Sequence, residues 1–199
     1  MPGQRAAEAE RAARSAAPLR SRLSRLYGIH TDERAWRLGR KGEEAVGARL
    51  ARLQVEWHVL HSIEVGAKGS DIDHVAIGPG GVYTINAKHH PGASVWVGGD
   101  CSMVNGHRQP YVRNSRHEAA RASRILSSHA GFLVPVVGVI AVMGAQEGFV
   151  VKSQPADRTV HVVTRKRVGT WLRRRTTILN GSEIAAVFDV ARRPQIWIS

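Results

Sequence analysis

Apolar residues recur along this chain with two different periods, and those periods divide it into helices and strands. Val46, Leu50 and Leu53 repeat at i, i+4 and i+7, which predicts a helix from about Trp36 to Leu53 with one buried face. Glu43 lies three residues before Val46 and falls on the same inward side. Alternating, β-branched runs then predict strands at Trp57–Ile63, Ile72–Ile77 and Val82–His89, with shorter ones near Val95–Val97 and Ser102–Val104. Gly98-Gly99-Asp100 and Asn105-Gly106 supply turns. Ser115-Arg116-His117-Glu118 has the form of a capping box, so a second helix is expected to start at Ser115, with Ala119, Ala122, Ile125 and Leu126 on its apolar side. Strands Val134–Val142 and Thr159–Val163 follow, and a closing helix Glu183–Ala191 takes Ser182 as its N-cap. Helices before and after a meander of strands predict an α/β sandwich around a mixed sheet.

Composition narrows the class. The chain has 199 residues, 43% of them hydrophobic, enough for one full core plus a tail. We therefore read residues 1–35 as a basic, partly helical or flexible leader and 36–199 as one domain with a basic C-terminal extension. Lys and Arg number 29 against 16 Asp and Glu, a formal charge of +13, and the pI is near 11.2. Such a surface favours polyanions: DNA, RNA or anionic lipid. A lone cysteine, Cys101, excludes an intrachain disulfide and a thiolate zinc cluster, and its strand-like setting predicts a small buried hydrophobe. Met1–Arg20 is interrupted by charges and lacks the apolar core of a signal peptide. Gly131–Ala145, the longest apolar stretch, is short for a bilayer span and contains Pro135, so a buried strand explains it better. These features predict a cytoplasmic protein with no stable membrane insertion. Walker, dinucleotide, zincin and serine-elbow motifs are absent from the sequence.

The chemistry concentrates in residues 71–88. Ile72–Ile77 and Val82–Ala87 flank Gly78-Pro79-Gly80-Gly81, and this reads as a β-hairpin. With those four residues as the loop, Ile77 pairs with Val82, Val75 with Thr84, Asp73 with Asn86 and Asp71 with Lys88. Asp73, Asn86 and Lys88 then project from one face, while His74 projects from the other. Two facing oxygen-bearing groups with a lysine beside them suit a hard divalent cation next to a water or a phosphate. Glu43, an acid at the end of an inward stripe, needs a partner or a metal as well, unless it serves only the helix N-terminal dipole. Lys88 has two readings from the register alone: a functional cation, or an ion-pair partner of Asp71. His90, in phase with Lys88, is near enough along the strand to reach substrate, although Pro91 ends the strand close by.

An Asp in one strand, followed across a tight hairpin by an acid-x-Lys pattern, resembles the PD-(D/E)xK nuclease core. More narrowly, four segments resemble the nuclease-related domain, NERD: Gly39–Glu44, Ile72–Gly78, Gly81–Lys88 and Gln109–Asn114, spread over roughly residues 37–130. The resemblance implies a restriction-endonuclease-like core, a mixed β-sheet whose central hairpin is flanked by helices. It implies catalysis by Asp73, Lys88, Glu43 and Asn86, with Mg²⁺ or Mn²⁺ held by Asp73, Asn86 and Glu43. In that scheme Lys88 orients the attacking water and stabilises charge on the phosphorane. The chain departs from the pattern at two places: Asn86 stands where the family carries Glu, and Arg113 where Gln often follows Asn-Pro-x-x. An Asn oxygen brings no charge, so it attracts a divalent cation less than a carboxylate does.

Basic clusters supply the rest. Arg113, His117, Arg121 and Arg124 fall at i, i+4, i+8 and i+11 and form a stripe beside the hairpin. Arg165-Lys166-Arg167 and Arg173-Arg174-Arg175 flank Val168–Leu172 near the C-terminus. We expect Arg113, Arg121, Arg124, Arg165, Lys166 and Arg167 to contact nucleic acid through phosphates. Two functional classes remain: a metal-dependent nuclease cutting DNA or RNA, and an inactive nuclease-fold module that binds nucleic acid or a protein partner. Asn86 is the residue on which they divide.

Overall fold

The computed structural model describes residues 37–66 and 70–198; the leader assigned to residues 1–35 lies outside the described residues. The chain divides into two units, Met1–Arg40 and Lys41–Ser199, and the architecture below is that of the second. Helix α1 (residues 37–50, of which 41–50 belong to this unit) is followed by strands β1 (His58–Val65), β2 (Ser70–Gly78) and β3 (Gly81–His89). Short strands β4 (Ser94–Gly98), β5 (Cys101–Val104) and β6 (His107–Gln109) lead into helix α2 (Tyr111–Ala130). Strands β7 (Val136–Met143), β8 (Gly148–Ser153) and β9 (Val160–Thr164) come next, then helices α3 (Val168–Arg173) and α4 (Gly181–Ala191). The central sheet has the order β1-β2-β3-β7-β9, antiparallel as far as β3 and parallel beyond it, and a second sheet has the order β6-β5-β4-β8.

This is the α/β sandwich with a mixed sheet and a central hairpin, consistent with a restriction-endonuclease-like core. One face of the central sheet carries Val75, Ile77, Val82 and Val136, covered by α2 and α4. Farther along, Ile140, Val142, Val160 and Val162 pack on Val95 and Val97 of the second sheet. The opposite face carries Ala76, Tyr83, Ile85, Val139 and Ala141, covered by Val46 and Leu50 of α1 and by Val168 and Leu172 of α3. The apolar stretch around residues 131–145 is the buried central strand β7 that its composition predicts.

The hairpin register matches the sequence reading at Ile77↔Val82 and Val75↔Thr84, but the turn is tighter than expected, because Gly78 also pairs with Gly81. A Cβ at Gly78 would come within 2.3 Å of the Trp57 ring, so only glycine lets that indole cover the turn. Strand limits differ from expectation by one or two residues, and three helix boundaries differ with consequences for the site or the caps. Helix α1 ends at Leu50 rather than Leu53, although Leu53 still packs on the core. Helix α2 starts at Tyr111 after Pro110, so Ser115-x-x-Glu118 lies inside the helix and is not a capping box. Helix α4 is capped by Asn180 rather than Ser182: the Asn180 side chain accepts from Glu183 N, and Glu183 returns a bond to Asn180 N. Strands β6 and β8 and helix α3 were not anticipated. Cys101 is half-buried at the start of β5. Among the described residues no helix is long and apolar enough to cross a membrane.

Candidate active site

The predicted face of the hairpin is where the unusual polar groups gather, and a break in strand alternation shapes it. Ser62 on β1 adopts a left-handed φ of 51°, and it lies opposite Asp73 in a ladder that pairs His61↔His74 and Ile63↔Ile72. Beyond this point the faces exchange, so Ile72 joins the same core cluster as Val75 despite the odd spacing between them. The β2–β3 ladder stops at His74↔Ile85. Asp73 Oδ2 instead accepts the Ala87 N–H at 2.7 Å. The expected pairings Asp73↔Asn86 and Asp71↔Lys88 are therefore not made, because a side chain has taken the donor the ladder would use. Asp73 consequently sits where β2 and β3 separate, within electrostatic reach of both covering helices.

From one side comes Glu43. Helix α1 lies close on β3, since a Cβ at Gly42 would meet the His89 Cβ at 3.2 Å and the Ala87 Cβ at 3.6 Å. Glu43 is half-buried there; burial raises its carboxyl pKa, repulsion from Asp73 and Asp71 raises it further, and Lys88 partly offsets both. Asp73 is also raised, by burial first, while the Ala87 N–H and Lys88 hold it down.

From the other side comes a residue that sequence reasoning assigned to a helix cap. Helix α2 crosses β7 at Gly138, where a Cβ would lie 2.4 Å from Ser115 Oγ and 2.9 Å from Ser115 O. That close approach turns Ser115, Ala119 and Ala122 onto the sheet and brings Glu118 over Asn86. Asn86 Nδ2 donates to Glu118 Oε2 at 3.4 Å. Burial pushes the Glu118 carboxyl up to about 7, with Asp73 adding to the rise and Asn86 and Lys88 opposing it. Asn86 Oδ1 is a buried oxygen with no hydrogen-bond partner, and Glu118 Oε1 and Thr84 Oγ1 are buried as well. The signal that could have found Glu118 is its i, i+3 spacing from Ser115 on a helix whose small residues face inward.

A cavity of about 400 Å³ opens over this cluster, lined by Asn86, Lys88, Tyr111, His117, Glu118 and Arg121 above an Ile72 and Ile140 floor. Lys88 Nζ stands 5.3 Å from the Tyr111 ring centroid. His90 stacks on the other end of that tyrosine, with centroids 5.7 Å apart and a 3.2 Å contact between Tyr111 Oη and His90 Nε2. Of the predicted basic stripe, His117 and Arg121 line the cavity, whereas Arg113 and Arg124 are exposed and do not. His74 is buried on the α1 side, as expected, 2.7 Å from His61 through their Nδ1 atoms.

With this arrangement in view, the comparison with protein families decides the identity. The family model described as the nuclease-related domain, NERD, matches residues 38–143, more than half of the chain. The chain belongs to the NERD family. Neither the curated proteins nor the solved structures contain a match to it. The matched span of this NERD chain runs from α1 through β7 and so includes Glu43, Asp73, Asn86, Lys88 and Glu118. Among the described residues, no three His, Cys, Asp or Glu side chains stand close enough together to hold a metal ion. A cation held here would have the Asn86 amide oxygen beside the acids as a further donor. The donor chemistry suits a hard cation: carboxylates on Asp73 and Glu118, plus a buried oxygen, Asn86 Oδ1, that nothing else satisfies.

Proposed function

We propose that this NERD protein is a metal-dependent nuclease hydrolysing phosphodiester bonds, in which Glu118 supplies from helix α2 the carboxylate that Asn86 does not. The 3.4 Å contact between Asn86 Nδ2 and Glu118 Oε2 carries the proposal, because it sets a carboxylate beside the strand position that lacks one. Asp73, Glu118 and Asn86 Oδ1 would hold Mg²⁺ or Mn²⁺. Bound there, the cation would supply Lewis-acid stabilisation of charge developing on the phosphoryl group. Lys88, which lowers the pKa of Glu43, Asp73 and Glu118, would orient a water and balance charge on the pentavalent phosphorus. Tyr111 packs against the Lys88 ammonium and limits its freedom. Arg121 and His117 at the cavity rim offer positive charge and donors to a phosphate. Hydrolysis then forms a bond from water oxygen to phosphorus and breaks a phosphorus–ester bond. The water loses its proton, and the departing oxygen gains one.

The test is cleavage of single- and double-stranded DNA and RNA with Mg²⁺ or Mn²⁺ against EDTA. Wild-type cutting should fall about 10²-fold in Glu118→Gln and Asp73→Ala. Melting temperature gives a second readout: Mn²⁺ should raise it for wild type and not for the Asp73→Ala/Glu118→Gln double variant. The other reading, a binding module disarmed at Asn86, rests on the neutrality of that side chain. It prevails if wild type cuts nothing with either metal and Asn86→Glu cuts.

A further inference from the structure

On the opposite side of the central sheet, a second cluster of charge and aromatic surface is left unused by the site above. Tyr83, Val137 and His161 project to that face, in register through Tyr83↔Val137 and Val139↔His161. Helix α3 runs past them, and Trp171 from it stacks on His161 with ring centroids 4.5 Å apart and planes 17° from parallel. The Arg175 guanidinium carbon lies 4.6 Å from the Trp171 centroid, and the Tyr83 ring meets Trp171 edge-on at 5.5 Å. Cation and rings thus form one assembly at the edge of the sheet, with His161, Trp171 and Arg175 stacked and Tyr83 set edge-on.

Two adjoining cavities run along it, of about 950 Å³ and 550 Å³, sharing Gln154, His161, Trp171 and Arg175. The first alone lies at the upper end of the roughly 300–1,000 Å³ of small-ligand pockets, and the second extends it into a groove. Arg167, Arg174 and Arg175 line one part and Arg158 and Arg175 the other, and no Asp or Glu lines either. Three arginines outside the groove are paired instead: Arg116 bonds Asp100 and Asp157, and Arg192 and Arg193 bond Asp189. Edge strand β9 is closed to a peptide strand at its middle, because Gln154 donates to Val162 O at 2.8 Å and accepts from Val162 N at 2.8 Å. What the groove offers is the exposed Arg175 guanidinium on a ring stack, with further arginines beside it and no acid in the lining.

We infer that this groove binds single-stranded nucleic acid, separately from the candidate nuclease site. Unpaired bases stack on rings and guanidinium planes, and their phosphates meet the arginines; a duplex hides the base faces and can use only the charge. The inference does not rest on the cleavage proposal, and its test is arranged to keep the two apart. Full-length Asp73→Ala protein in EDTA, which holds cutting off, is titrated against labelled 16-nucleotide oligo(dT), oligo(U) and a 16-base-pair duplex, followed by anisotropy. The groove variant adds Arg167→Gln, Arg174→Gln and Arg175→Gln, all exposed positions. Single-strand affinity should fall about tenfold or more, and duplex affinity clearly less. Trp171→Phe, which keeps a ring, should bind closer to the parent than His161→Ala with Arg175→Gln. The relative strength of oligo(dT) and oligo(U) identifies DNA or RNA as the better ligand. Unchanged single-strand binding in the groove variant overturns the inference, as does an equal loss on the duplex.

Discussion

Glu118 is a carboxylate held where its charge is unwelcome, and that has a measurable consequence. Its pKa, raised by burial from 4.5 to about 7, means the folded protein binds more protons than the unfolded chain between those values. Stability from this group therefore falls as pH rises through about 4.5 to 7, by up to about 3 kcal/mol, and Glu43 and Asp73 shift in the same direction. His74 acts in the opposite sense. Burial and His61 depress its pKa from 6.5 to about 4, so its contribution is present above 6.5 and lost as pH falls toward 4. The wild-type curve mixes both effects; the difference between wild type and Glu118→Gln isolates one. In EDTA, Glu118→Gln should gain melting temperature relative to wild type on going from pH 5 to pH 8. Parallel curves would show that Glu118 is not buried as a reluctant anion. A divalent cation added at pH 8 should shrink the difference, since it stabilises the charged form that Glu118→Gln lacks.

Elements, rather than single residues, place that carboxylate. Gly138 of β7 lets α2 approach until Ser115 is in contact with the strand backbone, and Glu118 follows one turn along. Gly138→Ala sets a Cβ 2.4 Å from Ser115 Oγ and 2.9 Å from its backbone oxygen. We expect a stability loss of about 1–3 kcal/mol by denaturant unfolding. Metal-induced stabilisation should weaken too, because α2 must lift. Ser115→Ala should rescue this in part only, since the backbone contact remains. At the far end of the chain, Asn180→Ala removes the cap of α4 and should cost about 1 kcal/mol, with no change at the site. The same elements show what could be read in advance. The hairpin register was legible because β-branched residues alternate cleanly about a Gly-Pro-Gly-Gly turn, and the α1 face because its stripe has a helical period. Helix α2 was misplaced because Ser-Arg-His-Glu carries the local form of a cap, whereas its inward placement depends on a glycine more than twenty residues away. Strand β8 was missed for a similar reason: its partner β4 is parallel and some fifty residues distant, and its own residues are half-exposed. The Asp73 side-chain bond that ends the ladder is likewise a tertiary fact, tied to the left-handed Ser62 on a neighbouring strand.

At the scale of the whole molecule the formal charge of +13 favours polyanions, but its distribution determines how binding would respond to salt. Arg116 is committed to stapling α2 to Asp100 in the β4–β5 turn and Asp157 before β9, and Arg192 and Arg193 to Asp189. Removing them should disturb local structure more than binding. The arginines of the β9 groove face a cavity without acids, so their loss should release fewer counterions on binding. For single strands each phosphate contact contributes about 0.7 to the slope of log K against log salt. The Arg167, Arg174 and Arg175 variant should therefore have a slope shallower by up to about 2, measured on oligo(dT) between low and moderate salt. Arg121→Gln, at the rim of the other cavity on the opposite sheet face, should lower the slope by about 0.7. With no shared partners between the two sites, the combined variant should show the sum of the separate changes. A combined effect greater than the sum would mean that the strand visits one site at a time, because each single variant then leaves the other site to carry the binding.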